Sequence, residues 1–254
     1  MNESRCSFGA MVGIYDRVRP DYHVWSISDI IRFIDLKSND PVLEVGCGSG
    51  QATQLLVDRG LLNIDAIDIS EPLIALAQKK IDDGARFIVG AFETAELPQS
   101  QYKLLLFALS FHWIDRAVRC QRIHSLLTDD GHVAIINNYH LFSESETERR
   151  VFELYRQLCP EFPKEYEDEI KLRSELLELG KNNLTSEYYR KYPPRTLTYT
   201  RDDYRALQQS FSWVNTLEKY YQRIFFQELD RIIGDQATLS IPWETVLLIA
   251  KKSA

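Results

Sequence analysis

The sequence predicts a doubly wound α/β fold on a mostly parallel sheet, and three observations predict it. Between Pro41 and Asn137, short apolar runs alternate five times with stretches of helical spacing, the pattern of strand–helix–strand units with right-handed crossovers. The first run, Val42-Leu43-Glu44-Val45, breaks into alternating glycines at Gly46, Gly48 and Gly50, so a buried strand turns directly into a helix. Asp68 ends the second run, twenty residues beyond Gly48. In such sheets a ligand sits at the carboxyl ends of the strands.

The elements follow in order. Residues Tyr15 to Tyr22 precede the fold proper, with Pro20 barring a helix there; this leader is either surface chain or a lid over the site. Trp25 to Leu36 has helical spacing, with Ser28 and Asp29 suited to its first turn. Val42 to Val45 suits a strand covered on both faces, and Pro41 fits its first position. The helix from about Gln51 carries Leu55, Leu56 and Val57 inward. Asn63 to Ile69 reads as the second strand, and Ser70 and Pro72 start a helix through Lys80. Arg86 to Val89 and Leu104 to Leu109 are the third and fourth strands. A helix over Asp115 to Leu127 then meets the turn Asp129-Asp130-Gly131 and the fifth strand, Val133 to Asn137.

Past His140 the alternation stops. Residues Ser143 to Gly180 are strongly charged but keep an apolar stripe, including Val151, Leu154, Tyr155 and Leu158, and read as surface helices. Ser143 with Glu146 fits a capping box. Tyr188 to Thr200 and Leu239 to Lys251 read as two final strands around a helical stretch from Asp202 to Ile233. The organisation expected is one domain over residues 1–254, with a lid over 1–24 and helical cap insertions over about 141–185 and 202–235.

Composition narrows the function. At 254 residues, 44% hydrophobic and 26% charged, the chain is ordinary packed material. Its formal net charge of −7 argues against a phosphate-backbone partner. Cys6, Cys47, Cys120 and Cys159 form no C-x-x-C pair, which signals neither a metal site nor a disulfide framework. With no secretory leader pattern and no apolar run of membrane length, a cytoplasmic enzyme free of nucleic acid and membrane is expected, as a monomer or a homodimer.

The loop decides the cofactor. A nicotinamide-binding turn reads G-x-G-x-x-G, whereas here Gln51 occupies the third glycine position and the extra glycine falls at Gly50. Glu44, two residues ahead of Gly46, would repel a pyrophosphate and receive a cationic amino group. Glu44-x-Gly46-x-Gly48-x-Gly50 with Asp68 on the next strand resembles class I S-adenosylmethionine-dependent methyltransferases. Residues Phe111-His112-Trp113-Ile114-Asp115 and the leader Tyr15-Asp16-x-x-Arg19-Pro20 resemble a branch that includes trans-aconitate methyltransferase. The likeness is strongest over residues 12–138.

That resemblance implies a Rossmann-like seven-stranded sheet with helices on both faces, an antiparallel last strand and an inserted helical cap. It implies that Gly46, Cys47, Gly48 and Gly50 face the methionine part of S-adenosyl-L-methionine, that Glu44 holds its amino group and that Asp68 accepts from both ribose hydroxyls. Ile69, Ala91 and Phe92 would line the adenine side, with Phe92 as apolar cover because Ala91 stands where relatives carry an acid, and Ala108 would be a further cofactor contact. Tyr15 and Arg19 would lie over the cofactor. His112 is the candidate general base, and His112 and Trp113 the candidate acceptor contacts.

Local alternatives remain open: Asp68 as a cap of the following helix, His112 as an orienter of its loop, Trp113 as core. Cys47 reads as a small residue allowing backbone approach rather than a nucleophile. The function expected is methyl transfer to an oxygen or nitrogen, less readily a carbon, of a small-molecule acceptor such as a carboxylic acid, in a pocket between the strand ends and the cap. The alternatives are a non-catalytic S-adenosylmethionine-binding protein, a protein-modifying methyltransferase and, although Gln51 counts against it, a nicotinamide-dependent oxidoreductase.

Overall fold

The computed structural model describes residues 17–142, 145–162 and 168–253. The chain divides into two compact units: a sheet unit of Asp21–Asn138, Glu169–Tyr192 and Thr245–Ala254, and a second unit of Met1–Pro20, Tyr139–Asp168 and Pro193–Glu244.

The strands are β1 (Val42–Val45), β2 (Ile64–Asp68), β3 (Arg86–Val89), β4 (Tyr102–Ala108), β5 (Leu127–His140), β6 (Leu184–Lys191), β7 (Arg195–Thr200) and β8 (Thr238–Lys252). Their order is β3-β2-β1-β4-β5-β8-β6, with β7 off this path and paired to β8. β1 runs parallel to β2 and β4, β2 to β3, and β4 to β5. The last strand, β8, is antiparallel to β6 and β7. The expected fold class is therefore the one observed, with one strand more than the seven expected. The run expected over Tyr188 to Thr200 is split, because Pro193 and Pro194 offer no ladder donors. β6 pairs with Val246–Lys252 of β8 and β7 with Thr238–Trp243.

Alternation along the strands builds two layers. Val42, Leu104, Leu106, Ala134, Ile136, Leu247 and Ile249 pack with Ile27, Ile30 and Ile34 of α1 (Val24–Ile34) and Ala52 and Leu56 of α2 (Gln51–Val57). Their neighbours Leu43, Val45, Leu105, Phe107, Val133, Ile135, Leu248 and Ala250 form the other cluster. The helices α3 (Glu71–Ile81) and α4 (Arg119–Leu126) follow β2 and β4. From α4, Cys120, Ile123 and Leu126 join the second cluster, with Leu179 of α6 (Asp168–Gly180). Each large aliphatic side chain so buried contributes roughly 1.5–3 kcal/mol. This two-sided burial is why the strands read as continuous apolar runs.

Three local expectations are corrected. Trp25, expected on the inward stripe of α1, is 56% exposed. The turn expected at Asp129-Asp130-Gly131 is an excursion within β5: Tyr102 pairs with Leu127 and Leu104 with His132, so the extra residues bulge out. Residues Asp168–Gly180, read with the cap, form α6, of which residues 169–180 fall in the sheet unit.

The second unit has its own core. Val151, Leu154 and Tyr155 of α5 (Glu146–Leu158) pack with Tyr204 and Leu207 of α7 (Arg201–Ser210), Val214 of the short α8 (Ser212–Asn215) and Phe225 and Leu229 of α9 (Lys219–Ile233). Ser143 lies outside the described residues; the observed cap of α5 is Ser145, whose hydroxyl accepts from the Glu148 N–H. The Glu148 carboxylate turns instead to buried His140 and to the Tyr204 hydroxyl, 3.0 Å away.

Candidate cofactor site

The sheet unit brings the predicted residues together where β1 and β2 end. The Gly46 and Cys47 N–H groups donate to the Ile67 carbonyl at 2.8 and 3.1 Å, and the Gly48 N–H donates to Asp68 Oδ2 at 2.9 Å. Gly46, Gly48 and Gly50 have φ of 71°, 55° and 83°, the left-handed region in which a side chain is strained. Space decides two of these positions further. A Cβ on Gly46 would stand 2.5 Å from Ser110 Cβ, and one on Gly50 would stand 2.7 Å from Ile81 Cδ1. A Cβ on Gly48 would meet nothing within 4 Å, so the backbone there faces open space.

Glu44 lies beneath the loop, 1% exposed, and accepts from Thr53 Oγ1 of α2 at 2.5 Å. Burial pushes its carboxyl up to about 8; the Thr53 hydrogen bond opposes this, and the Asp68 charge adds to it. A carboxyl in this state is ready to ionise when a cation arrives beside it. Burial, with Glu44 and Asp68 nearby, also raises the Cys47 thiol far above its usual range, which agrees with a packing residue and not a nucleophile.

Asp68 serves the fold as well as any ligand. Its Oδ2 holds Gly48, and its Oδ1 accepts from the Ser70 N–H at 2.8 Å, at the start of α3. The N-cap of α3 is Ser70, so Asp68 braces the turn into the helix without capping it. This does not exhaust the group, because a carboxylate offers about four acceptor positions and Asp68 is half-buried. Ile69 and Ala91 are half-buried beside it, and the Gly90 N–H donates to the Asp68 carbonyl at 2.9 Å.

Other predicted residues stand differently. The Phe92 ring is buried, edge-on to Phe107 with centroids 5.7 Å apart, and the Arg122 guanidinium lies 5.5 Å over it. Its side chain belongs to the core rather than to an apolar cover. His112 is exposed on the one-turn helix Phe111–Trp113, its ring 5.1 Å from that of Trp113, which is half-buried. Tyr15 lies outside the described residues. Arg19 belongs to the second unit, where it donates to the Ser210 carbonyl at 2.6 Å and lies 4.5 Å over the Phe211 ring.

Three residues that sequence reasoning missed complete the floor. Ser110 Oγ donates to the Val45 carbonyl, directly below the tight approach at Gly46. Leu109 holds φ at 57°, a strain of order 1–3 kcal/mol that clusters at functional sites. The Tyr22 hydroxyl donates to the Ala108 carbonyl at 3.2 Å. Only Tyr22 had a signal, its place at the end of the leader.

An acidic group able to receive a cation, a glycine turn with open backbone and a second carboxylate at a neighbouring strand end are the arrangement that the sequence resemblance implies for the methionine and ribose sides of an S-adenosylmethionine site. Residues 42–131 match the methyltransferase domain family. An uncharacterized methyltransferase of Mycobacterium bovis is 27% identical over 132 residues, 52% of each chain. The malonyl-[acyl-carrier protein] O-methyltransferase of Acetivibrio thermocellus is 33% identical over 135 residues, 50% of this chain and 47% of that one. The chain thus spans about half the length of the curated relatives it matches. Among solved structures, the YcgJ protein of Bacillus subtilis superposes with a TM-score of 0.57 at 16% identity, covering 91% of this chain and 100% of that one. Haemonchus contortus phosphoethanolamine N-methyltransferase 2 superposes with a TM-score of 0.54 at 14% identity, covering 97% and 57%. These two likenesses concern the fold alone. No helix among the described residues is long and apolar enough to cross a membrane.

Proposed function

We propose that this chain transfers the methyl group of S-adenosyl-L-methionine to a small-molecule acceptor, and that the acceptor atom is a carboxylate oxygen. The observation that carries the reading is the buried Glu44 beneath a glycine turn tied to Asp68, inside the matched family segment. In it, Glu44 holds the cofactor's amino group, Gly48 gives its backbone room, and Asp68 accepts from the ribose hydroxyls. Ile69 and Ala91 border the adenine side, and Ala108 the floor.

Bound S-adenosyl-L-methionine supplies a methyl group already activated on a sulfonium. The protein's task is therefore to align an acceptor about 3–3.5 Å from the reacting carbon and to exclude water. A carboxylate is nucleophilic without losing a proton, whereas an alcohol, phenol or amine needs a base. His112 is the base candidate read from the sequence, and it is exposed. Its exposure favours an acceptor that needs no base. The names of two relatives, both malonyl-[acyl-carrier protein] O-methyltransferases, support carboxyl methylation. They also favour a second reading, in which the acid is tethered to a carrier protein. Trp113, half-buried beside His112, is the proposed acceptor contact.

The test uses methyl-labelled S-adenosyl-L-methionine with free mono- and dicarboxylic acids, their carrier-protein thioesters, phenols and amines. Label in a carboxylic acid supports the reading. Label only in amines or phenols removes the carboxylate assignment. Binding of S-adenosylhomocysteine with no transfer to any acceptor would favour a non-catalytic binder.

A further inference from the structure

The second unit carries a groove of about 560 Å³ between α7 and α9, within the size range of small-molecule sites. Each helix gives one face to it: Asp202, Arg205 and Gln209 from α7, and Lys219, Arg223 and Phe226 from α9. Arg205 donates to Asp230 and to the Phe226 carbonyl, with its guanidinium 4.9 Å over the Phe226 ring. Its charge is thereby compensated, and α7 is fixed against the middle of α9. One turn or so along α7, Gln209 falls at the Lys219 end of the groove. Lys219 and Arg223, unlike Arg205, have no ion pair or hydrogen bond among the described residues, and neither does the Gln209 amide. A chain of net charge −7 thus leaves two uncompensated cations and an amide together at one end of a concave site with an aromatic wall.

We propose that this groove binds a small organic oxyanion, its charged group between Lys219 and Arg223 and its apolar body against Phe226. A guanidinium matches a carboxylate or phosphate with paired donors, so both ester-phosphate and carboxylic ligands share the required chemistry. The site lies wholly within the second unit and does not depend on the function assigned to the glycine turn.

Calorimetric titration of the full chain with phenyl phosphate, phenylacetate and inorganic phosphate tests it. Saturable binding of an organic probe is expected, weakened at least tenfold in the Lys219→Ala/Arg223→Ala double variant. Phe226→Leu is expected to weaken the organic probe and leave inorganic phosphate unchanged. Tighter binding of phenyl phosphate would assign the site to phosphate esters, and of phenylacetate to carboxylates. Both replaced cations are exposed, and unchanged S-adenosylhomocysteine binding and thermal unfolding report an intact fold. No saturable binding of either organic probe, or equal affinity in the double variant, overturns the proposal.

Discussion

Glu44 concentrates the site's electrostatics in one side chain. Its native carboxyl is pushed to about 8 by burial, so the folded chain binds this proton more tightly than the unfolded chain does. The sign follows from linkage: this contribution is fully present below the ordinary carboxylate range and is lost as pH rises from there through about 8. Thermal unfolding of the ligand-free protein is therefore expected to lose stability across that window, and Glu44→Gln to flatten the slope. Cofactor binding reverses the preference, because an amino cation favours the ionised carboxylate. Affinity for S-adenosylhomocysteine should rise from pH 6 toward about 8 in the native protein, and be weaker and flat in Glu44→Gln. Equal pH slopes in the two proteins would show that Glu44 does not receive the amino group. Gly46→Ala meets both a positive φ and Ser110 at 2.5 Å. It should cost roughly 1–3 kcal/mol or more of stability and abolish S-adenosylhomocysteine binding, measured by denaturant unfolding and calorimetry. For His112, a carboxylate acceptor predicts that His112→Ala keeps kcat within a few-fold across pH. A lost basic limb in the rate profile would instead make it the base.

At the scale of elements, the turn after β4 is held from below by α4. Arg119 makes two hydrogen bonds to Glu178 of α6, at 2.5 and 2.6 Å. It also donates to the Phe111 carbonyl at 2.8 Å and lies 4.0 Å over the Phe111 ring. Burial alone would raise the Glu178 carboxyl, but the Arg119 hydrogen bonds and charge outweigh it and hold it below its ordinary range. This contribution is present above the ordinary carboxylate range and lost as pH falls through the native value. Arg119→Met should cost about 3 kcal/mol, since it removes the buried partner of Glu178 and leaves that carboxylate only the more exposed Arg116. The loss should shrink in acid, where Glu178 is neutral, and a loss unchanged by pH would contradict the pairing. Such supports explain what the sequence could and could not tell. β1, the glycine turn and Asp68 were legible because each depends on residues adjacent in the chain and on backbone conformations that few residue types allow. Ser110 under Gly46 and Tyr22 on Ala108 were not, because each joins elements far apart in sequence by a single polar contact, and Arg119 under Phe111 was not, because its place depends on Glu178 of a distant helix. The division of the expected strand into β6 and β7 was written in Pro193-Pro194. Apolar alternation on both sides outweighed it.

For the molecule as a whole, the matched family segment covers residues 42–131, which hold the proposed cofactor residues and the proposed acceptor contact Trp113. The rest of the acceptor pocket is expected from segments outside it, where the sequence pattern is weakest. The chemistry of the product nevertheless separates the candidate acceptors without knowledge of that pocket. A methyl ester formed on a carboxylate is cleaved by mild alkali and releases methanol, whereas a methyl group on an amine or a phenol survives. If the reading proposed here is right, label transferred from S-adenosyl-L-methionine by the full chain becomes volatile after brief alkaline treatment. Asp68→Ala, which removes the proposed ribose acceptor and the tie to Gly48, should reduce that transfer at least tenfold through a raised KM for the cofactor. Alkali-stable label would move the acceptor to nitrogen or to an alcohol or phenol oxygen. His112, or another group able to take a proton, would then have to lie within hydrogen-bond reach of the acceptor.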